Sequence, residues 1–125
     1  MTLRTRRIAW IAFTVLWTVA LTAPIGKIEA FRSNSLLEGE VRIVVAKILH
    51  ALAYASWTIL TASLLPSFGG RIGLLFCLMT HAVCTEYVQL RWSGRDGCLR
   101  DVLIDHAGIL VGLVLSWKWW TGPTK

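Results

Sequence analysis

The sequence predicts an all-α fold: a membrane-spanning four-helix bundle forming one domain over residues 1–125. Three observations carry this. Four apolar stretches occupy most of the 125-residue chain. Hydrophobic residues make up 55% of it and charged residues only 16%, against about 25% charged in a typical soluble domain. The mean hydropathy is +0.60. Third, the polar interruptions gather at segment ends: Lys47 and His50 open the second stretch, Glu86 and Gln89 close the third, and Asp101 and Asp105 open the fourth. Stretches that cross a bilayer in alternating directions bring all six to one membrane face. Ionisable groups at that depth are costly and are kept with a partner or a function.

The first segment, Ile8 to Ala23, follows Arg4, Arg6 and Arg7. A signal peptide begins in the same way, but Pro24 directly after Ala23 disfavours cleavage, so a retained helix is expected. The second runs from Ile43 to Leu65 and stops at Pro66 and Gly69-Gly70; the third runs from Ile72 to Leu90 and the fourth from Val102 to Trp120. About 20 residues cross about 30 Å of hydrocarbon, so the last three fit and the first is short. Membrane strands would need about ten alternating residues each, and no such alternation appears. Trp10, Trp17, Trp92, Trp117, Trp119 and Trp120 lie in or near segment ends, where indole rings favour the headgroup region.

A net charge of +6 and a pI near 9.8 suit nucleic-acid binding in many proteins. Here the charges cluster where apolar runs end and form no basic stripe, so no nucleic-acid partner is expected. The Lys/Arg tally is nearly even between the two faces, and the three leading arginines decide for cytoplasmic N- and C-termini. All seven acids then lie on the outer side. Outer basic residues have acidic partners within reach, whereas inner ones such as Arg6 and Arg71 are expected to be unpaired. Cys77 and Cys84 read as buried small apolar residues, and Cys98 sits in a short loop. The cysteines form no disulfide framework and no metal-ligand spacing, and no cofactor is expected.

At 100° per residue, Lys47, His50 and Tyr54 share one face of the second helix, continued by Thr58 and Thr61. Glu86 and Gln89 share a face of the third, and Asp101, Asp105, Gly108 and Gly112 form a strip on the fourth. The three polar faces should turn toward one another, since lipid offers carboxylates no partner. Gly108 and Gly112 would let a second backbone approach closely. Arg95, in the loop before the fourth helix, can fold over Glu86 or Asp101 or, with Lys47, receive an anionic headgroup. His50 is the acid–base candidate. His81 reads as an interhelical hydrogen-bonder, and His106 points about 100° away from Asp105.

Lys47-x-x-His50-x-x-x-Tyr54, Thr85-Glu86-x-x-Gln89, Gly94-Arg95 and Asp101-x-x-x-Asp105-x-x-Gly108-x-x-x-Gly112 together resemble the VanZ-like family of small bacterial membrane proteins. The resemblance covers about Lys47 to Gly112. Asp105 takes the acidic form of a position that is often Asn, and Asp96-Gly97 replaces the small hydroxyl residues common after the arginine. The resemblance implies a multi-pass bacterial membrane protein of the cell envelope; the namesake is associated with low-level resistance to teicoplanin. It implies no established reaction.

Three functions fit these residues. One is an envelope protein that binds, or also processes, an outer-leaflet component such as a lipid-linked glycan. Lys47, Tyr54, Gln89 and Arg95 would then bind, and His50, Glu86, Asp101 and Asp105 would move protons. Another is a non-catalytic module whose polar cluster locks the helices while it engages an envelope protein or antibiotic. The last is a small transporter or proton pathway. Membrane lipid is an expected partner in all three.

Overall fold

The computed structural model describes residues 2–23, 36–64, 67–93 and 99–122, with backbone alone for 36–39, 42, 92 and 93. Regular structure among them is entirely helical: α1 (Leu3–Thr22), α2 (Leu36–Ala62), α3 (Phe68–Val88) with a π-helical turn (Gln89–Ser93), α4 (Leu99–Leu115) and α5 (Trp117–Thr121).

Local chemistry sets several of these ends. The Thr2 hydroxyl accepts from the Thr5 amide at 3.2 Å, and Ser67 does the same for Gly70 at 3.3 Å, capping α1 and α3. Ala23 is extended, as a residue preceding proline must be. The helices α2 and α3 start earlier than their apolar stretches, at Leu36 and Phe68. Apolarity marks the length a helix can bury, and a helix continues through polar turns. The expected fourth helix is divided at Ser116. Its hydroxyl donates to the Gly112 carbonyl at 2.5 Å and accepts the Trp120 indole N–H at 2.9 Å, a side-chain-to-backbone bond of the kind that bends helices.

The most extensive helix contact is between α2 and α4. A Cβ on Gly108 would meet the Ala51 Cα at 2.9 Å and collide with its carbonyl; one on Gly112 would lie 2.5 Å from the Ala55 carbonyl and 2.7 Å from Thr58 Cβ. Only glycine permits this approach. The core gathers Leu21, Tyr54, Trp57, Leu78, Ala82 and Ile109, with Trp10, Phe13 and Trp17 packed against it.

Three expectations need correction. Trp10, Trp17 and Trp120 pack within the protein rather than standing free on its surface: Trp17 lies against the core, Trp10 donates to Thr61 at 2.8 Å, and Trp120 is buried. Burying an indole is favoured when its N–H finds an acceptor, as those of Trp10 and Trp120 do. Trp117 and Trp119 are exposed, as expected. Cys77 and Cys84 are exposed, because they ride on the outward face of α3. Arg6 and Arg71, expected to be unpaired, have partners. Arg6 donates to the Ser63 carbonyl at 3.0 Å, and the buried Arg71 donates to the carbonyls of Trp120 and, at 2.9 Å, Gly122. Helix C-termini present unsatisfied carbonyls and partial negative charge, so they serve a guanidinium where no carboxylate is near.

Two helical stretches, Ile43–Ala62 and Phe68–Arg91, are long and apolar enough to cross a membrane. Only 22% of each span's most apolar window is buried, unlike the core helix of a soluble protein. The other described helices fall short of that standard: α4 has 17 residues and α5 has 5, and α1 opens on three arginines.

Candidate functional site

The close α2–α4 seam determines where the polar residues meet. Ala51, which abuts Gly108, is the neighbour of His50, and Asp105 lies one turn before Gly108 on the same strip. The glycine contact therefore draws the Asp105 carboxylate onto the imidazole, with His50 Nδ1 3.0 Å from Asp105 Oδ1. Glu86 arrives from α3, just before that helix loosens into its π-turn, a feature frequent at functional sites. His50, Glu86 and Asp105 each offer an oxygen or nitrogen, and these atoms lie within 4.8 Å of one another. Asp105 is fully buried and Glu86 is 5% exposed. The second Asp105 oxygen, Oδ2, has no hydrogen-bond partner among the described residues.

Farther out along the same seam, the Lys47 ammonium lies 3.6 Å from Asp101 Oδ1, with both side chains partly exposed. Lys47 and Asp101 precede His50 and Asp105 by three and four residues, so the helical repeat stacks the two pairs as successive rungs. Asp101 thus stands at the rim beside Lys47, apart from the three converging groups. Gln89 is buried at the start of the π-turn. Arg95 and Cys98 lie outside the described residues.

Tyr54 belongs to a second network, deeper between the helices. Its hydroxyl lies 3.0 Å from His81 Nδ1 and 3.4 Å from Thr85 Oγ1, and His81 Nε2 lies 2.9 Å from Thr18 Oγ1. Tyr54, expected from the sequence to contact a ligand, has its hydroxyl in this interhelical network. His81 takes the hydrogen-bonding place expected of it. His106 turns to the Val102 carbonyl of its own helix at 2.7 Å.

Sequence reasoning missed two α1 residues. Trp17 stands edge-on to both His50 and Tyr54, with centroids 5.8 and 6.5 Å apart, and its indole N–H has no hydrogen-bond partner among the described residues. Thr18 holds His81. The spacing of Thr14, Thr18 and Thr22, one turn apart in the apolar part of α1, was the available signal.

The arrangement permits two kinds of chemistry. A carboxylate hydrogen-bonded to one imidazole nitrogen orients the ring for proton transfer at the other. One imidazole with two carboxylates is also a donor set for a divalent cation. Set against models of protein families, curated proteins and solved structures, the chain matches none.

Proposed function

We propose that this chain is a multi-pass membrane protein of the bacterial envelope, a four-helix bundle of the VanZ-like kind. In this reading its pocket binds an anionic outer-leaflet component such as a lipid-linked glycan. The observation that carries the reading is the convergence of His50, Glu86 and Asp105 from three helices whose other faces are covered with exposed Leu, Ile, Val and Phe. Exposed apolar surface on this scale suits lipid rather than water, and buried ionisable groups within it mark a functional site. Lys47 at the rim would meet the anionic group, and Trp17 would form one wall. The termini would be cytoplasmic, with the pocket facing outward.

The test is binding of a polyprenyl phosphate to the purified chain in detergent, followed by tryptophan fluorescence. Saturable binding that weakens about tenfold in Lys47→Gln, the loss of one charge-assisted contact, supports the reading. Equal binding of the uncharged polyprenol, or no effect of Lys47→Gln and His50→Gln, refutes it. For topology, a membrane-impermeant thiol reagent should label Cys98 in intact cells carrying Cys77→Ala and Cys84→Ala; labelling only after lysis reverses the orientation.

A second reading is favoured by one observation. The His50–Asp105 and Lys47–Asp101 pairs join the same two helices that Gly108 and Gly112 clamp. On that reading the cluster is an interhelical lock, and the two readings part on the stability of Asp105→Asn.

A further inference from the structure

We propose that His50, Glu86 and Asp105 together bind one divalent first-row metal ion. The inference rests on the reading of these residues as one pocket, and is independent of what else enters it. With bonds of about 2.1 Å, two ligands at right angles around an ion are about 3.0 Å apart and opposite ligands about 4.2 Å. His50 Nδ1 and Asp105 Oδ1 are separated by 3.0 Å. The full set lies within 4.8 Å, so a modest closure would place every donor at bonding distance.

Charge and satisfaction point the same way. Two carboxylates with 0% and 5% exposure lie beside one imidazole. A divalent cation among them would match two carboxylates in charge. Asp105 Oδ2, which has no hydrogen-bond partner among the described residues, gives the fully buried carboxylate a further donor atom. The donor type is imidazole with hard oxygens, which suits Mn²⁺ or Zn²⁺ rather than a soft ion. The exposed Cys77 and Cys84 face away on α3 and supply no competing thiolate. Three protein ligands leave coordination positions open, as in sites where a metal meets a substrate oxygen.

The purified full chain, stripped with a chelator and exchanged into detergent, is titrated with Mn²⁺ and followed by electron paramagnetic resonance. The expected result is one Mn²⁺ per chain, with pulsed spectra showing coupling to a single imidazole nitrogen. His50→Gln should abolish that coupling, and Glu86→Gln or Asp105→Asn should weaken binding about 100-fold, at least what removing an outer-shell partner does. His106→Gln should change nothing. The wild-type nitrogen signature keeps the test valid if a variant fails to fold. Absence of a Mn²⁺ site, binding unaltered by all three ligand substitutions, or coupling that vanishes with His106→Gln would overturn the proposal. Polyprenyl phosphate binding measured with and without chelator separates the two ideas. Binding by the chelated chain, with no Mn²⁺ site, removes the metal and keeps the anion pocket. A Mn²⁺ site without polyprenyl phosphate binding keeps the metal and removes that occupant.

Discussion

The two ends of the molecule bury charge in opposite ways. At the end that the proposed topology would make the inner one, Arg6 and Arg71 reach backbone carbonyls at the ends of α2 and α5, and the buried Arg71 takes two of them. Cations there meet the acceptors that every helix C-terminus leaves over. At the end that the same proposal would make the outer one, two carboxylates and an imidazole from different helices lie within 4.8 Å of one another, and one oxygen of the fully buried Asp105 has no hydrogen bond among the described residues. The inner end joins complementary groups, which is what a fastening requires. The outer end sets a second buried carboxylate, Glu86, beside the His50–Asp105 pair, and buried ionisable groups of this kind mark a candidate functional site.

Substitutions can sharpen this contrast. The seam that supports the outer cluster should be the most sensitive point. Gly112→Val places side-chain atoms where the Ala55 carbonyl and Thr58 already stand, and should cost about 3 kcal/mol, read as a fall in melting temperature in detergent. At the inner end, Arg71→Met removes the donor to two carbonyls and should cost about 2 kcal/mol without altering Mn²⁺ or polyprenyl phosphate affinity. A loss of ligand affinity in that variant would mean that the two ends are coupled rather than separate. Lys47→Gln should have the smallest effect on stability, under about 1 kcal/mol, since its pair with Asp101 is partly solvated.

Much of the outer end was legible in the sequence because helical periodicity is exact enough to place residues three and four apart on one face. Lys47 with His50, Glu86 with Gln89, and Asp101 with Asp105, Gly108 and Gly112 could all be aligned before any coordinates. The ranking within that set could not be read. Periodicity fixes a face but not how far apart two helices stand, and that distance is what separates Asp105, at the centre, from Asp101, at the rim. The choice of His50, Glu86 and Asp105 as one set of converging donors has no spacing motif for a related reason: its three members come from three helices. The inner end escaped notice because its acceptors are backbone carbonyls, which carry no residue-type signature. Tyr54 read as part of the outer site because it continues the His50 face, yet His81 and Thr85 claim its hydroxyl.

The melting temperature of Asp105→Asn, measured beside that of Arg71→Met in the same detergent, tests most directly whether the outer cluster is a site or a lock. The amide keeps the size of the carboxylate and an acceptor oxygen for His50, so a ligand site predicts a midpoint within about 3 °C of the parent, far less than the fall expected for Arg71→Met. A fall for Asp105→Asn as large as that for Arg71→Met would show that the buried carboxylate holds the helices together, and would contradict the reading of this cluster as a place for a ligand.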